Sequence, residues 1–255
     1  MLTVYGDRKS GNCLKVAWVA AHLGIDLDWR EVDILKGETR TPDFLALNPD
    51  GRVPTLVLED GRSLAESNAI IGYLARDSGL IPADAFAQAK MRQWLFWEQY
   101  SHEPYIAVRR FQLYYLGLAE AELDPKLFER GHAALALIEG ALSDRPFLVG
   151  PGLSLADVAL VAYTRLAHEG GFDLAPLSGL ARLDRPRRSR TRHHRLEAHR
   201  TGPPALPVRR ASRTRLRPAS SRDPWNVPCR ARTRECRIRY ETGRRSAPRF
   251  SCQYR

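Results

Sequence analysis

Near residue 178 the chain changes character so sharply that any folded domain must be built by the residues before that point. Residues 1–178 carry 5 Lys and 12 Arg against 24 Asp and Glu, a net charge of −7. Residues 179–255 carry 23 Arg, no Lys and 5 acidic residues, a net of +18, so the overall charge of +11 belongs wholly to the second stretch. Averaging over the chain invites a nucleic-acid reading that the acidic first stretch contradicts. The 44% apolar content over 255 residues is ample for a buried core in one or two domains. After about Leu177 the sequence is dense in Arg, Pro and Ser with no sustained apolar period, and no regular structure is expected there.

Within the first stretch, strand and helix signals alternate. Leu2 to Tyr5 reads as a strand, Gly6 to Gly11 as a loop, and Asn12 to Leu23 as a helix closed by Gly24. Asp28 to Ile34 suits a second strand, and Thr41-Pro42 offers an N-cap followed by Pro at the first helical position of a helix through Leu47. The turn Asn48-Pro49-Asp50-Gly51 precedes an apolar run, Val53 to Leu58, which Glu59-Asp60-Gly61 turns into Arg62 to Leu64. A helix from Ser67 to Ala75 completes a βαβαββα order, the thioredoxin-like arrangement. Beyond Pro82 the pattern is helical, with Met91, Trp94, Leu95 and Glu98 setting a 3.6-residue period that breaks near Pro104. Ser154 and Asp157 stand as a capping pair at a later helix start, with Leu153 as its staple.

No apolar run approaches the roughly 20 residues that a membrane-spanning helix needs, which points to a cytoplasmic protein without a membrane partner. Cys13 stands alone in the first stretch, and Cys229, Cys236 and Cys252 lack CxxC spacing, so neither a disulfide framework nor a zinc site is expected. His102 and His168 are isolated and read as structural or surface histidines, leaving no metal in the expected chemistry.

Three segments carry the specific signal: Ser10-Gly11-Asn12-Cys13 before the first helix, Asn48 to Pro54 before the third strand, and Leu64 to Ile70 opening the third helix. In this order and spacing they resemble the glutathione site of the glutathione S-transferase family, with a likeness to its bacterial, serine-type members. The resemblance covers residues 1–178. It implies an α/β thioredoxin-like N-terminal domain (1–78), an all-α helical C-terminal domain (84–178) and, outside it, the Arg-rich irregular tail (179–255). It also implies an enzyme that conjugates glutathione, its co-substrate, to a small electrophile, working as a homodimer. The alternatives are a glutathione-dependent disulfide reductase or peroxidase and a non-catalytic glutathione-fold binding protein.

The same resemblance assigns roles. Val53-Pro54 is expected as a cis peptide whose Val53 N–H and C=O face an extended ligand. Glu66 and Ser67, at a helix N-terminus, suit the ammonium and carboxylate of the γ-glutamyl end. Arg40 and Arg52 are the cations for the glycine carboxylate, with Lys36 more often a surface charge. Ser10, with Asn12 as partner or substitute, would stabilise the glutathione thiolate, which is the nucleophile. Tyr5, inside a strand, and Cys13, inside a helix, read as packed side chains. Tyr105 and Arg109, with Tyr114, would contribute to the electrophile pocket.

The tail's Arg density suits only non-specific, salt-dependent association with nucleic acid. Lys-free, Arg-rich sequence is also what a GC-rich gene yields out of frame. Permitted codons for Pro176 to Pro186, less one cytosine near Leu177, translate to Tyr-Pro-Ala-Leu-Arg-Ala-Trp-Ile-Asp, a peptide similar to the next helix of a transferase. Residues 179–255 are therefore read as frameshifted.

Overall fold

The first strand, β1 (Leu2–Gly6), lies inside a four-stranded sheet of a computed structural model that describes residues 1–183. It pairs in parallel with β2 (Leu27–Glu31) and antiparallel with β3 (Thr55–Val57), which pairs antiparallel with β4 (Ser63–Leu64), giving the order β2-β1-β3-β4. Helices α1 (Gly11–Leu23), α2 (Pro42–Leu47) and α3 (Ser67–Leu74) connect and cover these strands. This is the thioredoxin-like arrangement.

Local chemistry fixes the element ends. Gly24, at φ 68°, donates its N–H to the Ala20 and Ala21 carbonyls and closes α1, a conformation that favours glycine. Thr41 accepts the Phe44 N–H at 3.3 Å and Pro42 occupies the first turn of α2, where its missing N–H costs nothing. β2 stops at Glu31, short of the expected Ile34, because the Asp33 carboxylate collects the Leu35 and Lys36 N–H groups at 3.0 and 3.2 Å and turns the chain. β3 begins at Thr55 rather than Val53, since Pro54 has no N–H for the ladder.

The helical part comprises α4 (Ala85–Trp97), α5 (Glu103–Arg110), α6 (Pro125–Ala141), α7 (Leu155–Thr164) and α8 (Ser178–Leu183). The break expected near Pro104 takes the form of a π-helical turn, Glu98–His102, that carries α4 directly into α5. Pro104 sits in the first turn of α5, where it is tolerated. α7 is the central helix, with Leu155, Ala156, Ala159 and Leu160 wholly buried. Its start is held as expected: the Asp157 carboxylate accepts the Ser154 N–H at 2.8 Å, the Ser154 hydroxyl at 2.7 Å and the Leu148 N–H at 2.8 Å. One apolar core runs from Val4 and Leu56 of the sheet through Val16, Ile70 and Ile71 to Leu135, Ile138 and Leu160.

Residues 179–183, expected to be irregular, belong to α8. Glu139 accepts the Gly179 and Leu180 N–H groups at 2.8 and 3.0 Å and Leu180 is buried, so a carboxylate from α6 starts the helix. The expected out-of-frame tail lies, from residue 184 onward, outside the described residues.

Candidate active site

The loop between β1 and α1 is held from behind by the helical part. Asp7 accepts the Lys9 N–H at 2.8 Å and the Tyr115 hydroxyl at 3.1 Å, while Arg110 donates to the Lys9 carbonyl at 2.9 Å. Ser10 follows as the extended N-cap of α1 and makes no side-chain cap bond. Its hydroxyl instead meets the buried Tyr163 and Cys13 side chains. Gly11 is the close approach: a Cβ there would stand 2.7 Å from the Tyr163 ring. Cys13 has no exposed surface, and burial pushes its thiol up to about 12, which removes it as a nucleophile at neutral pH. Tyr5 packs edge-on against Phe44.

Asn12, half-buried, is the residue of this loop that lines a cavity of about 270 Å³. A second wall comes from the turn before β3. Asn48 shapes it by donating to the Arg52 carbonyl at 2.9 Å and to Thr55 Oγ1 at 3.2 Å, and by accepting the Asp50 N–H at 3.1 Å. Gly51 turns the chain at φ 63°, and Val53-Pro54 follows with a cis peptide bond, both residues on the cavity wall. Arg52 also lines the cavity, 76% exposed and paired with Asp50 at 3.0 Å.

The third wall is the start of α3. Glu66, its N-cap, takes φ 66° and ψ 113°, a left-handed conformation that a non-glycine residue adopts at some cost and that recurs at ligand sites. Ser67 begins the first turn, where backbone N–H groups lack helical acceptors. Gln99, Glu103 and Pro104 close the cavity from the helical side. Burial raises the Glu103 carboxyl above its ordinary range, with Glu98 and Glu66 adding to the rise and Lys15 and Arg52 opposing it.

The structure therefore brings Asn12, Arg52, Val53, Pro54, Glu66 and Ser67 to one cavity. Ser10, half-buried, is not among the residues that line it. Arg40 is exposed beside it, donating to the Asp50 carbonyl at 3.0 Å, and Lys36 pairs with Asp33 at 3.1 Å. Tyr105 is half-buried and Tyr114 exposed, and neither lines the cavity. Arg109 is placed elsewhere altogether: it is buried, donates to the Gly170 carbonyl at 2.7 Å, pairs with Glu120 and stacks over Phe128. An interior carbonyl and an aromatic face claim this cation, and the sequence shows neither. Asn48 and Asp50 belong to a segment that the sequence marks but were given no role of their own, and Gln99 and Glu103 were not expected at the site. Gln99 and Glu103 lie in a largely polar stretch, Glu98-Gln99-Tyr100-Ser101-His102-Glu103, in which nothing in the sequence sets them apart. Among the described residues no group of three or more His, Cys, Asp or Glu is arranged to hold a metal ion, and no helix is long and apolar enough to cross a membrane.

Comparison with known proteins gives this geometry a context. The family model for the glutathione S-transferase N-terminal domain matches residues 10–77, and that for the C-terminal domain matches residues 97–181. Glutathione S-transferase 3 of Zea mays is 36% identical over 165 residues, covering 61% of this chain and 73% of that protein. The crystal structure of a glutathione S-transferase from Pseudomonas fluorescens Pf-5 is 49% identical with a TM-score of 0.69, over 71% of this chain and 92% of that one. Ure2p in complex with glutathione is 26% identical with a TM-score of 0.65, over 72% of this chain and 95% of that one; another structure of it is described as the nitrogen regulation fragment of the yeast prion protein. Two domain matches in sequence along one chain, with relatives matched over most of their own length, make this protein a member of the glutathione S-transferase family.

Proposed function

We propose that the cavity binds glutathione as co-substrate and that the chain conjugates it to a small electrophile by stabilising the thiolate beside Asn12. The observation that carries this reading is the convergence of Asn12, Val53 and Glu66-Ser67, from three separate segments, on one cavity. The chemistry fits a tripeptide with two carboxylates and one ammonium. The first-turn N–H groups of α3 suit the γ-glutamyl carboxylate and Glu66 its ammonium. The Val53 backbone suits an extended cysteinyl unit, and Arg52, with Arg40 nearby, suits the glycine carboxylate. The sulfur then falls near Asn12 at the start of α1, where an amide donor and helix N–H groups lower a thiol pKa. Gln99, Glu103 and Pro104 border the side from which an electrophile enters. Ser10, engaged with Tyr163 and Cys13, serves as support for the loop.

The test is conjugation of glutathione to a chlorinated dinitrobenzene by the purified full chain, run beside reduction of a glutathione mixed disulfide. Conjugation is expected to dominate, with Asn12→Ala lowering kcat/KM by roughly tenfold or more, the loss of one hydrogen bond to a charged group. Undiminished turnover in Asn12→Ala would reject the assignment. Dominant disulfide turnover would favour the reductase alternative. The likeness to Ure2p favours a further reading, binding without turnover, which predicts bound glutathione and neither reaction.

We further propose a homodimer in the cytoplasm, the compartment rich in reduced glutathione. Phe86, Phe96 and Tyr100, on α4 and its π-helical continuation, are 70, 75 and 81% exposed, large apolar side chains suited to contact with a second subunit.

A further inference from the structure

Lys15, on α1, has no exposed surface. Its ammonium donates to Glu98 Oε2 at 2.8 Å, to Ser67 Oγ at 3.4 Å and to Asn68 Oδ1 at 3.4 Å, so all its donors are engaged. Glu98 is equally buried, and its Oε2 also accepts from Asn68 at 3.1 Å and Gln99 at 2.8 Å. A buried ion pair seldom gains stability over apolar residues of the same volume, because desolvation offsets the attraction. This pair touches Ser67 and Asn68, the first residues of α3, and Ser67 lines the cavity.

Directionality follows from donor and acceptor inventories. An ammonium has no lone pair to offer, so Ser67 Oγ must accept from Lys15. The single Ser67 proton is then free to go to Asn12 Oδ1, 3.0 Å away. An amide whose oxygen is taken in this way presents its Nδ2 donor to the opposite side, and Asn12 lines the cavity. We infer that Lys15 and Glu98 are positioning residues which, through Ser67, fix the amide of Asn12 with its donor toward the glutathione sulfur. The inference rests on the reading of Asn12 as the thiolate partner and adds the cause of its orientation. It also separates two duties of Ser67: its hydroxyl belongs to the relay, and its backbone N–H to the ligand carboxylate.

The test reads the thiol of bound glutathione directly, by the ultraviolet absorbance of the thiolate as pH is varied on the full chain. The charged groups lining the cavity are Glu66 from α3, Glu103 from α5, and Asp50 and Arg52 from the turn before β3; every variant below leaves them in place. Bound to the unaltered chain, the thiol is expected to titrate below the ordinary cysteine value of about 8.5. Asn12→Ala is expected to raise that midpoint by roughly one unit. Lys15→Met with Glu98→Gln, which removes the charge pair without leaving either charge alone, is expected to raise it by a similar amount while changing glutathione affinity less than about threefold. Adding Asn12→Ala to this pair is expected to do nothing more, since the steps lie in one chain. Should the double variant fail to fold, Ser67→Ala breaks the next link, leaves the ion pair whole, and carries the same expected rise.

A double variant that melts lower yet titrates like the unaltered chain, while Asn12→Ala shifts, assigns the pair a structural role and overturns the relay alone. If Asn12→Ala also leaves the titration of bound glutathione unmoved, the thiolate reading of Asn12 falls and the relay with it. If the unaltered chain binds no glutathione, the reading of the whole cavity falls.

Discussion

His102 has no exposed surface; its Nε2 lies 3.0 Å from Thr164 Oγ1 and its Nδ1 has no partner. Burial lowers its pKa from 6.5 to about 4, with Glu98 pulling it up and Lys15 pressing it down. The unfolded chain takes a proton on this ring near 6.5, whereas the folded chain resists until about 4. Between those values the unfolded state holds more protons, so this contribution is complete above pH 6.5 and is lost as pH falls toward 4. It amounts to roughly 3 kcal/mol at most. His102→Gln is expected to flatten the fall of the urea midpoint across that window, and an equally steep fall in the variant would contradict the assignment. The sequence reveals residue types and misses their neighbours in space. The spacing in Ser10-Gly11-Asn12-Cys13 pointed to both Ser10 and Asn12, and only the folded chain shows that Asn12 lines the cavity while Ser10 does not. Arg109 was misplaced for the same reason, its partners lying 11 and 61 residues away in sequence.

Elements whose ends are set by local chemistry were legible. Gly24, Thr41-Pro42 and the Ser154/Asp157 pair each satisfy orphan helix-end groups from within a few residues. Asp157→Ala removes acceptors for two backbone N–H groups and a hydroxyl in the interior, and is expected to cost about 2–4 kcal/mol. A urea midpoint lowered at unchanged m-value checks this, and a loss below about 0.5 kcal/mol would show that the box does not hold α7. The π-helical turns at Glu98–His102 and Phe111–Tyr115 were not legible, because one extra residue per turn displaces an apolar period no more than a break does. Yet the first of them supplies Gln99 to the cavity and Glu98 to the buried ion pair. α8 was missed because its start depends on Glu139, 40 residues upstream.

For the molecule as a whole, the order of strands and helices was readable over residues 1–78, and beyond them the helical character alone, because each period is local. The single core joining them was not, since which faces meet depends on contacts between distant segments. Phe86, Phe96 and Tyr100 stand exposed on the molecule's surface. Sedimentation of the full chain at micromolar concentration is expected to give a dimer, and Phe96→Glu a monomer; a monomeric unaltered chain would remove the proposed interface. The proposal that unites the molecule is that sheet, turn and helix start converge to hold one tripeptide. Calorimetric titration of the full chain with glutathione puts it at risk. Saturable binding at one site per chain is expected, weakened about tenfold or more by Glu66→Gln, which removes the ammonium partner, and unaffected by Lys36→Ala, which lies on the surface with Asp33. Absence of binding, or binding indifferent to Glu66→Gln, would show that this cavity is not the glutathione site.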